Sequence, residues 1–107
     1  MTSSHFVASP VDENVLTQIK TILTEVFQDE GCTIYLFGSR ATGAAIATSD
    51  FDVAVLATQD ISGKLSLARE KLDESNIPFK VELVDLRLTS IAFSRQVQTE
   101  GVILWKN

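Results

Sequence analysis

The stretch Phe37 to Leu56 reads FGSRATGAAIATSDFDVAVL and holds the residues best suited to chemistry. Gly38-Ser39 stands at one end and Asp50-x-Asp52 at the other, with ten residues between Ser39 and Asp50. In a strand, side chains alternate faces, so Asp50 and Asp52 project together and Phe51 points the other way, toward the core. Two carboxylates this close repel unless something positive lies between them. A hard divalent cation such as Mg²⁺ meets that need, because it prefers oxygen ligands and takes one or two carboxylates together with substrate phosphates. Gly38 lets the backbone approach a ligand closely and adopt positive φ. Ser39 offers a hydroxyl and an N–H, and a helical turn opening there would add an anion site. Taken singly, each feature has a plainer explanation: a solvated strand start for the aspartates, a simple turn for Gly-Ser.

A further acid, Glu82, lies in FKVELVDL. A strand placed beside the Asp-x-Asp strand would bring its side chain near the first two. Lys80 and Val84 share its face if the strand is regular, and Asp85 falls on the opposite one. Asp85 becomes the alternative third acid if a bulge shifts the register. Lys80 reads as the partner of a surface ion pair, with phosphate contact as the second option.

The elements that must position these residues are legible in outline. Val15, Leu16, Ile19, Ile22, Leu23, Val26 and Phe27 recur at three- and four-residue steps, which predicts an amphipathic helix from Asp12, stopped by Gly31. Asp12 and Glu13 suit its positive N-terminal end. Cys32–Phe37 has the β-branched and aromatic content of a strand, and 41–49 reads as a short helical turn and a loop. Residues 50–57 form a second strand. Ile61, Leu65, Ala68 and Leu72 mark a second long helix, closed by Asn76 and Pro78. Residues 79–86 read as a third strand. Thr89 or Ser90 caps a last helix bearing Ile91, Ala92, Phe93 and Val97 and ended by Gly101, with 102–105 as a final strand or packed tail. This order predicts an α/β fold of the α+β type, with helices packed on a small mixed β-sheet. Residues 1–10 read as a flexible arm and 11–107 as a single domain.

Bulk properties narrow the class. The chain has 107 residues, room for one core. Its net charge is −5 and its nine basic residues are scattered, which argues against autonomous DNA or RNA binding. No apolar run is long enough for a membrane span, and the N-terminus lacks a signal-peptide pattern. The one cysteine, Cys32, makes no internal disulfide and reads as a small buried hydrophobe in a cytoplasmic setting. Phe6, Phe27, Phe37, Phe79 and Phe93 read as core or near-core. Trp105 reads as packed on the sheet or as part of a partner surface. His5 has no partner pattern, and Thr48 and Ser49 shape the loop before Asp50.

At ordinary residue usage, the four fixed residue types of G-S-x10-D-x-D match by chance with odds on the order of 10⁻³ in such a chain. The arrangement resembles the nucleotidyltransferase fold superfamily and, more narrowly, the minimal nucleotidyltransferase (MNT) family that accompanies helical HEPN proteins. The resemblance implies that Asp50, Asp52 and Glu82 are catalytic and hold one or two Mg²⁺ ions. It implies that Gly38 and Ser39 hold the phosphates of ATP or another nucleoside triphosphate. Arg40, beside them, either counters triphosphate charge or pairs with a nearby carboxylate. Glu82 stands where the family more often has aspartate, a departure that keeps catalytic competence open.

The implied activity is transfer of a nucleoside monophosphate, AMP from ATP, to a hydroxyl acceptor on a HEPN-type partner, as the antitoxin of a toxin-antitoxin pair. The acceptor surface is expected from that partner, because the chain is too short to carry it. The alternative is a nucleotide-binding antitoxin or regulatory subunit that acts on its helical partner by contact alone. A structural domain with no ligand is the plainest option.

Overall fold

A computed structural model gives the structure of residues 10–43 and 50–107. The expected arm, but for Pro10, therefore lies outside the described residues, as do His5, Phe6, Thr48 and Ser49. Helix α1 (Pro10–Phe27) starts on a proline, which suits a first turn because the N–H it lacks would have no helical partner there. The helix begins two residues ahead of the expected start and closes at Phe27, ahead of Gly31. Val15, Ile19, Leu23, Val26 and Phe27 are all buried, as their spacing requires.

Strand β1 (Cys32–Phe37) is followed by a single helical turn, α2 (Ser39–Thr42), and by β2 (Phe51–Ala57). Helix α3 (Ser62–Glu74) then carries the chain across the sheet to β3 (Val81–Asp85). Helix α4 (Ile91–Glu100) returns it to β4 (Val102–Lys106). The four strands lie in the order β3-β2-β1-β4. β1 pairs antiparallel with both neighbours, whereas β2 and β3 run parallel, the pairing that needs a crossover such as α3. The expected small mixed sheet with packed helices is what forms.

Two apolar layers hold the sheet. On one face, Ile34, Leu36, Phe51, Val53, Val55 and Leu83 pack with α1 and with Leu65, Ala68 and Leu72 of α3. On the other, a smaller cluster joins Tyr35, Ala54, Leu86 and Val97, with Phe37 and Phe93 at its margin. α4 covers only part of this second face, and the uncovered part carries the carboxylates.

The bounds of β2 and β3 differ from those expected, and one expected cap has a consequence for burial. β2 starts at Phe51, so Asp50 stands just before it. β3 starts two residues later than 79, and it stops before 86 because Asp85 ends it: its Oδ1 accepts a hydrogen bond from the Arg87 N–H at 2.9 Å and opens a 3₁₀ turn over Leu86–Leu88. Ser90 caps α4, accepting from the Phe93 N–H at 3.1 Å, and this phasing turns Phe93 and Val97 inward. Ile91 and Ala92, expected among the inward apolar positions, therefore face solvent. α4 ends as expected at Gly101, where a Cβ would lie 2.5 Å from the Val97 carbonyl and 3.1 Å from that of Leu36. Only a residue without a side chain lets the helix end come this close to β1.

Candidate active site

One row of residues crosses three strands at the edge of the sheet. Asp52 is the register partner of Glu82 on β3 and of Phe37 on β1. Register partners share a face, so two carboxylates and an aromatic ring stand side by side at strand spacing, about 4.8 Å. Asp50 lies one residue before β2 and is exposed, Asp52 is half-buried, and Glu82 is exposed. Phe51, between the aspartates, is fully buried on the opposite face, as alternation requires.

The Gly-Ser turn closes on this row. Gly38 has φ 74° and ψ −156°, a region essentially restricted to glycine. A Cβ there would sit 2.5 Å from Asp52 Oδ2. The two ends of the motif are thus in contact: the backbone at Gly38 favours glycine, and a Cβ there would push the Asp52 carboxylate aside. The Gly38 carbonyl accepts from the N–H groups of Ala41 and Thr42 at 3.0 and 3.2 Å, which folds the tight turn of α2.

Electrostatics mark the same place. Burial, then the charges of Asp50 and Glu82, push the Asp52 carboxyl above the usual range. The three acids are therefore near enough to feel one another's charge. Glu82 is engaged: its Oε1 lies 3.0 Å from Lys80 Nζ, the surface pair expected from their shared face. Its hydrogen bond and charge raise the Lys80 pKa. As the side chains stand, no group of three acidic, histidine or cysteine residues encloses a cation site among the described residues. The donor chemistry nonetheless fits a hard cation: oxygen ligands only, at least two of them ionisable and mutually repelling, beside a turn pared down to glycine.

Geometry bears on two sequence readings. Asp85, the alternative third acid, is buried, pairs in register with Val55 and spends its carboxylate on the 3₁₀ turn, on the face away from Glu82. Arg40 is the other, read either as countering triphosphate charge or as pairing with a nearby carboxylate. It is only 4% exposed, with its guanidinium carbon 4.3 Å from the Phe51 ring centre and 5.0 Å from that of Phe79. Phe51 lies on the α1/α3 face, so the Arg40 guanidinium is turned away from the carboxylate row. There it stacks on the residue between the two aspartates. A planar, weakly hydrated cation suits that stacked position.

The sequence reading missed a cleft beside Gly38. It has a volume of about 390 Å³ and lies between Phe37, Gly38 and Thr42 on one side and Phe93, Gln96, Val97 and Glu100 of α4 on the other. Phe37 and Phe93 meet edge-to-face there, with ring centres 5.6 Å apart. The signal was available in the helical spacing of 93, 96, 97 and 100, but not which structure this face would meet.

Comparison with known proteins agrees with this fold. The family model described as polymerase beta nucleotidyltransferase matches residues 17–107. The chain is 32% identical over 103 residues to the probable protein adenylyltransferase MntA of Haemophilus influenzae, covering 92% of this chain and 86% of that protein. A crystal structure of a toxin-antitoxin with AMP-PNP is similar with a TM-score of 0.64 and 34% identity, over 82% of this chain and 73% of that one. A structure of tri-AMPylated Shewanella oneidensis HEPN toxin in complex with MNT antitoxin is similar with a TM-score of 0.64 and 31% identity, over 89% and 72%.

Proposed function

The chain belongs to the polymerase beta nucleotidyltransferase family, and from that premise we propose that it is a protein adenylyltransferase, the antitoxin of a toxin-antitoxin pair. It moves AMP from ATP to a hydroxyl of a HEPN-type helical partner, with which it forms a hetero-oligomer. The similarity to an MntA adenylyltransferase and to complexes with a HEPN toxin supports this reading. The single observation that carries it is the contact of Gly38 with Asp52, alongside the Asp52–Glu82 register. The proposed setting is cytoplasmic, and no helix among the described residues is long and apolar enough to cross a membrane.

In this reading, Asp50, Asp52 and Glu82 would hold one or two Mg²⁺ ions, which when bound neutralise triphosphate charge and favour in-line displacement. Gly38 and Ser39 receive the β- and γ-phosphates, the first through its open backbone and the second through its hydroxyl and N–H. The partner's hydroxyl oxygen bonds to the α-phosphorus while the bond from that phosphorus to the β-phosphate oxygen breaks. AMP stays on the acceptor and pyrophosphate leaves. Glu82, exposed on β3, takes the hydroxyl proton. Asp52, half-buried against Gly38, keeps the attacked phosphate in register. Arg40 positions Phe51 and so the two aspartates flanking it.

The test is intact-mass analysis of the partner after incubation with the purified chain and Mg-ATP. An adenylate adduct is expected, absent with Asp52→Asn. No adduct despite retained Mg-ATP binding would overturn the catalytic reading.

One observation favours a second reading. Glu82 is longer than the aspartate more usual at this position and is already paired with Lys80. The chain would then bind nucleotide and neutralise its partner by contact alone. Neutralisation of the toxin by Asp52→Ala decides between them: if it survives, transfer is not needed.

A further inference from the structure

We propose that Lys80 is a built-in counter-cation of the carboxylate row, which a divalent ion displaces from Glu82 on binding. This makes Lys80 a positioning residue that sets how tightly the row takes up divalent cations. The inference rests on the reading of Asp50, Asp52 and Glu82 as a cation site.

The backbone fixes Lys80 to that site. Its carbonyl accepts a hydrogen bond from the Phe51 N–H at 2.9 Å, so its main chain is tied to the residue between the two aspartates. Strand alternation puts its side chain on the face of Glu82, and the ammonium reaches Glu82 Oε1 at 3.0 Å. Lys80 is thus not a surface lysine that happens to pass near an acid. Its origin is held beside β2, and its charge falls on the outermost carboxylate of the row.

The strength of the pair suits displacement. The side chains of Lys80 and Glu82 are 66% and 49% exposed, and an ion pair in that setting favours contact by a factor of only about 1.5 to 5. That biases Glu82 toward the lysine without fixing it there. It is too little to withstand a doubly charged ion offered several oxygens at once. The lysine therefore lowers divalent-ion affinity by a few fold without blocking the site.

The probe is Mn²⁺, titrated into the full chain without nucleotide and followed by electron paramagnetic resonance. Lys80→Met is expected to bind Mn²⁺ about 3- to 5-fold more tightly than the parent at low salt, with the gap narrowing at high salt as screening grows. Lys80→Arg, which keeps the cation, is expected to stay near the parent. In a Glu82→Gln background, Lys80→Met is expected to change little. Unchanged or weaker Mn²⁺ binding by Lys80→Met, a gap that persists without Glu82, or no measurable uptake by parent and variant alike would overturn the proposal. If Asp52→Asn abolishes Mn²⁺ uptake while Lys80→Met leaves it unaltered, the site reading stands and only the role of Lys80 fails. If Asp52→Asn leaves uptake intact, the site reading itself fails.

Discussion

Asp52 and Glu82 are register partners on adjacent parallel strands, with Gly38 closed against Asp52 from the other side. Asp52 thus sits between a backbone that admits no side chain and a second carboxylate. Its pKa is raised by burial and by neighbouring charge, so the folded chain holds a proton there more readily than the unfolded chain. Stability from this group is present below its ordinary value of 3.8 and is lost as pH rises through the raised folded value. At neutral pH the ionised group costs stability. Asp52→Asn is expected to melt slightly higher than the parent at pH 7, by less than about 4 °C. The gap should close toward pH 3.8. The same variant is expected to lose AMP transfer by about 10³-fold or more, since metal-assisted charge stabilisation is worth several kcal/mol. Thermal melts across pH and the adduct assay check the two halves independently.

Glu82 and Asp85 are separable by substitution. Glu82→Gln is expected to slow transfer by about 100-fold, in the range of general-base contributions, with stability changed by under about 0.5 kcal/mol. Asp85→Ala is expected to do the reverse, costing about 1 kcal/mol through the lost cap while transfer survives. Urea melts and transfer rates on both variants check this crossing pattern. If Asp85→Ala stopped transfer in a fully folded protein, the third acid would be misassigned.

Gly38→Ala is expected to be damaging on two counts. The backbone conformation costs an alanine about 1–3 kcal/mol, and the new Cβ would displace the Asp52 carboxylate. Stability and Mg-ATP affinity should fall together. Calorimetry on the folded fraction, with a melt alongside, measures both.

Arg40→Met is expected to destabilise the chain by about 1–2 kcal/mol, the range of a desolvated cation–π contact. Arg40→Lys should recover little, because a lysine lacks the planar group that lies over Phe51 and Phe79. Denaturant midpoints for the two variants test this. Full rescue by lysine would mean that charge alone matters at this position.

Much of the site was legible because it follows from alternation and spacing. Asp50 and Asp52 project away from Phe51 by strand geometry, and the Lys80–Glu82 pair comes from the same rule one strand away. What was not legible depended on where side chains go in three dimensions. Arg40 next to Gly-Ser left phosphate and a nearby carboxylate both open, and neither option foresaw a stem long enough to lay the charge over Phe51 and Phe79 on the other face. Asp85 reads in sequence as one more strand carboxylate, and only its bond to the Arg87 N–H shows it ending that strand. Ile91 looked apolar and inward until the Ser90 cap set the rotation of α4. The cleft beside Gly38 brings together β1, α2 and α4, which no local pattern reports.

β3 is an edge strand, hydrogen-bonded within the sheet to β2 alone and joined to it through the long α3 crossover. Besides β2 it is held by Leu83, buried in the core, and by the Arg69 guanidinium, which donates to the Leu83 carbonyl at 3.0 Å. A transient release of β3 would leave β1, β2 and α1 in place and keep Gly38 and Asp52 together, yet would carry Glu82 and Lys80 away in one movement. Glu82 and Lys80 thus depend on an edge strand, whereas Gly38 and Asp52 are placed by β1 and β2, each paired on both sides.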